Sequence, residues 1–167
     1  MTEPFEAAIG PLLMRRNLKL VLAESCTGGL VSHHITNVPG SSEYFAGGIV
    51  AYTLEAKERL LGVRHDTLQR CGAVSRETVL EMARGVRRTF APDFSFDSLV
   101  GLSISGIAGP GGGGPGTPVG LVWIGLSAPG GEWAWQYHWQ GNRTENKDLA
   151  AGQALALLHA YLTGQIA

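Results

Sequence analysis

Two short apolar runs constrain this chain most: KLVLA at Lys19–Ala23 and SLVGLSIS at Ser98–Ser105. Neither alternates polar with apolar residues. A strand of that kind is buried on both faces, so it needs a covering layer above and below the sheet. The intervening segments supply helices. Phe5, Ala8, Ile9, Leu12 and Leu13 recur at helical spacing behind Pro4, which predicts a helix over 4–16. Gly28-Gly29 opens a second helix, LVSHHITNV, stopped by Pro39-Gly40. Tyr44–Thr53 reads as another strand, and Glu55–Leu61 as a short helix closed by Gly62. Ser75 is an N-cap, with Glu77 favourable to the helix dipole and Val79, Met82, Ala83, Val86 and Phe90 on one face. Val119–Ser127 and Glu132–Gln140 flank Pro129-Gly130-Gly131 as a hairpin. The last helix runs over Arg143–Leu162, with Ala150, Ala154, Leu157, Leu158 and Tyr161 inward.

Strands alternating with helices imply an α/β fold, a three-layer α/β/α sandwich. The hairpin makes its sheet mixed, mostly parallel, with about five strands. The 167 residues suit a single domain, 1–167, with a sizeable core.

Composition narrows the function classes. With 13 basic and 14 acidic residues and no basic block, the chain offers no evident surface for a nucleic acid. Its longest apolar stretch, Leu149–Leu162, contains Gln153 and His159 and is shorter than the roughly 20 residues of a membrane span. No basic region followed by an apolar run marks a signal peptide near the N-terminus. Cys26 and Cys71 read as free thiols in a reducing compartment, so a cytoplasmic location is expected. No metal site is expected: CxxC is absent, and the adjacent His33 and His34 diverge by about 100° on a helix.

Ligands of open α/β sheets bind beyond the carboxyl ends of the strands. That rule selects Glu24-Ser25-Cys26-Thr27-Gly28-Gly29, the neighbourhood of Tyr52, and Ser105-Gly106-Ile107-Ala108-Gly109-Pro110. A hydroxyl on a tight strand-to-helix turn stands beside unpaired helix amides, which stabilise an oxyanion or cradle a phosphate. Ser25 is thus a candidate nucleophile, although Ser25 or Thr27 as a plain helix cap explains the spacing equally well. Lys57 is the candidate base, because helical side chains lean towards the N-terminus and so back to the same edge. It acts so only if its pKa falls from about 10.4 to roughly 7–8; the alternative is a solvated surface lysine. Tyr52 is placed to relay a proton or orient the hydroxyl. Cys26 is the rival nucleophile, and alternation along extended chain lets only one of Ser25 and Cys26 face the cleft.

Gly109, Gly111 and Gly114 match G-x-G-x-x-G, but Pro115, Pro118 and a strand follow instead of a helix. The Gly109–Pro118 loop reads as a lid or as backbone lying against a ligand. Trp133, Trp135, Tyr137 and Trp139 alternate with Ala134, Gln136, His138 and Gln140, which gives one wholly aromatic strand face. Packing beneath a helix is the default explanation; a subunit interface and nucleobase stacking are the others.

Read together, LAESCTGGL, PGSSEYFAGGIVAYTLEAKERLLGV, CGAVSRETVLEMARG, SISGIAGPGGG and TPVGLVWIGL resemble the CinA C-terminal-domain family from about Leu18 to Arg143. Stand-alone members of that family are nicotinamide mononucleotide (NMN) deamidases. The resemblance implies hydrolysis of the NMN carboxamide to nicotinate mononucleotide and ammonia, without cofactor or metal, by a homo-oligomer. It makes Ser25 the nucleophile and maps the family's tyrosine and lysine to Tyr52 and Lys57. It maps the hydroxyl before GIAGP to Ser105 and an arginine to Arg143. On this reading the amides around Thr27, Gly28 and Gly29 hold the oxyanion, and the phosphate lies near Arg143 or the Ser105-Gly106 turn. The partner is then a small pyridine nucleotide, with neither nucleic acid nor membrane. The chain departs from the family at Leu54, Gly111 and Thr117, where Asn, Asp and a basic residue are common. Two other readings stay open: a non-catalytic nucleotide-binding or interaction module linked to competence or DNA damage, and an amidase for a related carboxamide.

Overall fold

The computed structural model describes residues 4–166. Its elements follow in the order α1 (Phe5–Arg15), β1 (Lys19–Glu24), α2 (Leu30–Thr36), β2 (Phe45–Val50), α3 (Leu54–Leu61), α4 (His65–Cys71), α5 (Arg76–Phe90), β3 (Leu99–Gly106), β4 (Leu121–Ala128), β5 (Gly131–His138) and α6 (Arg143–Leu162). The five strands form one sheet in the order β2-β1-β3-β4-β5. β1 pairs in parallel with both β2 and β3, while β3–β4 and β4–β5 are antiparallel. Four of the five strands therefore point the same way and β4 alone is reversed. The mixed, mostly parallel sheet is as the sequence pattern implies.

Alternation along β1 builds the three layers. Leu20 and Leu22 join the core beneath α1, α2 and α6, whereas Val21 and Ala23 join Leu61, Met82 and Val86 on the opposite face. β3, at the middle of the sheet, is buried at every residue but its last. Small residues let α5 lie close against β3 and its neighbour β4. A Cβ at Gly101 would overlap the Ala83 carbonyl, and one at Gly125 would lie 2.7 Å from the Val79 carbonyl. Ser103 adds a hydroxyl hydrogen bond of 2.6 Å to Val79 O. At Gly85, α5 approaches α3 so closely that a Cβ would overlap the Leu61 carbonyl.

The aromatic face of β5 packs against the core beneath α6, as its default explanation requires. Trp133 lies 5.6 Å from Tyr161, ring centre to ring centre, and the Tyr137 hydroxyl accepts from Gln153 at 3.1 Å.

Several boundaries differ from the sequence expectation. The second strand ends at Val50 rather than Thr53, because Thr53 caps α3, its hydroxyl accepting from Ala56 N at 3.2 Å. α4 is an added helix: its run, HDTLQRC, is short and polar, and its N-cap is Arg64 with no side-chain capping bond. No helix among the described residues is long and apolar enough to cross a membrane.

Candidate active site

The carboxyl ends of β1, β2 and β3 lie side by side, with Glu24 in register with both Val50 and Ile104. Two further bonds continue the ladder past the strands: Ser25 N donates to Ile104 O at 3.0 Å, and Ala51 N donates to Glu24 O at 2.8 Å. The three segments selected from sequence thus meet. A cavity of about 190 Å³ opens there, lined by Ser25, Cys26, Tyr52, Gly106–Gly109 backbone, Gly111, Gly112 and Arg143.

Lys57 is the fourth residue of α3, and its side chain runs back towards the helix start. Its Nζ lies 2.9 Å from Ser25 Oγ and 2.8 Å from Ala51 O. Lys57 is only 2% exposed. Burial drives its pKa down to about 8, a shift that the nearby Cys26 thiol partly opposes. A lysine near that value is neutral for roughly a quarter of the time at pH 7.5. Charged, the amine donates to both oxygens; neutral, it has a lone pair able to accept from the Ser25 hydroxyl while an N–H holds Ala51 O. A solvated surface lysine is thereby excluded.

Ser25 and Cys26 both line the cavity, contrary to the alternation argument, because residues 25–29 form a turn and not extended chain. Their chemistry separates them. Burial pushes the Cys26 thiol up to about 11, so it stays protonated at neutral pH and is a poor nucleophile.

The turn itself is organised by Glu24, to which the sequence reading gave no role. Its carboxylate is 1% exposed and accepts five hydrogen bonds: from Thr27 Oγ1 (2.7 Å), Gly29 N (3.0 Å), Val31 N (3.1 Å), Ser32 N (2.8 Å) and Ser32 Oγ (2.7 Å). The N-cap of α2 is Gly29, which has no side chain with which to cap the helix. An acidic residue just upstream of a helix with a glycine N-cap was the available signal.

Glu24 also corrects part of the oxyanion expectation. The Gly29 amide serves the carboxylate, and the Gly28 amide donates to Ser25 O at 3.0 Å. Neither is free to hold a developing oxyanion. The amides of Cys26 and Thr27 donate to no backbone oxygen among the described residues and are directed at the Cys26 sulfur, a weak acceptor.

Three other expected roles change. The Tyr52 hydroxyl accepts from Arg143 Nη2 at 2.8 Å and bonds to neither Ser25 nor Lys57. Arg143 also donates from Nη1 to Gly109 O at 2.7 Å, so it braces the cavity rim from within its own chain. Ser105 is 1% exposed and donates to Ala73 O at 2.7 Å, so its hydroxyl is unavailable to a phosphate. Gly106 does line the cavity. No cluster of three or more metal-ligating side chains occurs among the described residues.

Residues 2–162 match the model of the family described as CinA C-terminal domain. A CinA-like protein of Desulforapulum autotrophicum is 49% identical over 161 residues, which is 96% of this chain. The chain spans 37% of that relative's length. Among solved structures, a CinA superfamily protein from Klebsiella pneumoniae superposes with a TM-score of 0.86 at 31% identity, covering 96% of each chain. A competence/damage inducible protein from Agrobacterium tumefaciens gives 0.83 at 34% identity, covering 98% of each. On sequence and fold together, this chain belongs to the CinA C-terminal domain family.

Proposed function

We propose that the chain is an amidohydrolase that cleaves the carboxamide of NMN to nicotinate mononucleotide and ammonia. One observation carries this reading: a buried lysine amine, with its pKa near 8, within 2.9 Å of a serine hydroxyl at the wall of a cavity. A nucleophile–base pair requires that contact together with a lysine whose charged form burial disfavours.

Neutral Lys57 takes the Ser25 proton as Oγ attacks the carboxamide carbon. The Cys26 and Thr27 amides, exchanging the weakly accepting Cys26 sulfur for the developing charge, stabilise the tetrahedral oxyanion. Lys57 then returns the proton to the nitrogen, the carbon–nitrogen bond breaks, and ammonia leaves. Water, deprotonated by the same amine, cleaves the acyl ester, releasing nicotinate mononucleotide and restoring Ser25. Arg143 and Tyr52 shape the rim, and Glu24 holds the turn on which Ser25 sits.

The test is ammonia release from NMN by the wild-type protein and by Ser25→Ala. The wild type should turn over, and the variant should lose at least about 10³-fold in kcat while keeping its circular dichroism spectrum. Turnover by the variant at the wild-type rate overturns the assignment.

A further inference from the structure

We infer that Lys147 is the counter-charge for the phosphate of the nucleotide substrate; this rests on the amidase reading above. A cavity of about 190 Å³ is smaller than the ~300–1,000 Å³ typical of pockets that enclose a whole ligand. It suits the pyridine carboxamide and leaves the ribosyl phosphate to project through the mouth.

Several of the usual anion binders around that mouth are engaged in whole or in part. Glu24 takes the amides at the start of α2, and Ser105 serves Ala73 O. Arg143 spends one donor of each terminal nitrogen on Gly109 O and Tyr52 Oη, which fixes its guanidinium along the rim. The loop from Ile107 to Gly120 contains no charged residue.

Lys147 lies four residues past Arg143, one turn along the same face of α6. A Cβ built at Gly28 would stand 3.8 Å from its Nζ, so the ammonium rests against the turn that carries Ser25. Because residue 28 is glycine, no side chain stands between them. Lys147 has no hydrogen bond or ion pair among the described residues. Its helix neighbour Glu145 is held by Asn142 N at 2.7 Å, and Asp148 projects about 100° away. Half-buried Lys147, with three free donors, thus stands beside the Ser25 turn, just outside the cavity lining, where a phosphomonoester projecting from the mouth can reach it.

The experiment compares Lys147→Ala and Lys147→Arg with wild type, using NMN and nicotinamide riboside, which lacks the phosphate. Lys147→Ala should raise KM for NMN by about 10- to 100-fold at near-constant kcat, as loss of one charged hydrogen bond implies. Lys147→Arg should recover most of that loss, and kcat/KM for the riboside should move by less than about twofold in either variant. Equal losses on both substrates, or no loss on NMN, would overturn the inference. If wild type turns over neither compound, the amidase reading fails by itself. The inference is then judged by calorimetric titration with inorganic phosphate: binding that weakens in Lys147→Ala supports it, and unchanged or absent binding overturns it.

Discussion

Glu24 and Lys57 are the two most consequential side chains here, and both are ionisable groups buried next to Ser25. They are stabilised differently. Glu24 sits among five donors, so its removal strands several buried polar groups at once. Glu24→Ala should destabilise the fold by about 2–4 kcal/mol in denaturant titration. Glu24→Gln should cost less but still weaken it, because one of its two terminal atoms becomes a donor facing donors. A midpoint unchanged in both would mean that the carboxylate does not hold the turn. Lys57 is instead a group whose charged form burial opposes. Lys57→Arg should lose nearly all ammonia release while staying folded, since a guanidinium cannot act as a base near neutral pH. An active variant would mean that position 57 supplies only charge.

At the scale of elements, Lys57 also couples α3 to pH. Below about pH 8 the amine is charged in both the folded and unfolded states, and the cost of burying that charge is fully present. Between about 8 and its ordinary value of 10.5, the folded protein has released the proton and the unfolded chain has not. Stability therefore rises with pH across this window. Relative to Lys57→Met, wild type should gain about 3 kcal/mol between about pH 7 and pH 11. Denaturation curves of the two proteins that shift in parallel with pH would contradict this. Close packing makes a second prediction. Gly85→Ala should cost at least about 3 kcal/mol or abolish folding, because its Cβ would meet the Leu61 carbonyl, which is backbone and cannot swing aside. The elements themselves were largely legible: the full-length α6, the Ser75 cap of α5, and the buried runs of β1 and β3 follow the apolar pattern closely. α4 was not, since its seven mostly polar residues carry no apolar period and no capping side chain.

At the scale of the molecule, the parallel β2-β1-β3 arrangement turns three distant stretches of sequence into one site. Position in the topology could be read from the sequence, and so the meeting of Ser25 with Lys57 was anticipated. Hydrogen-bond partners could not, because they depend on which donors the folded turn leaves over. The Gly28 and Gly29 amides, the Ser105 hydroxyl and the Tyr52 hydroxyl are each taken by a neighbour that spacing alone does not reveal. The sheet also explains why the aromatic strand is structural: β5 offers its rings to α6 at the edge remote from β2. The proposed function then rests on a single relation, a lysine amine 2.9 Å from a serine hydroxyl, which it must deprotonate when neutral. The pH dependence of kcat/KM for ammonia release from NMN tests it most directly. The rate should climb along one ascending limb with a midpoint near pH 8 and then level off, in step with deprotonation of Lys57. A profile flat between about pH 6 and pH 9, in a protein that turns over NMN, would contradict the account.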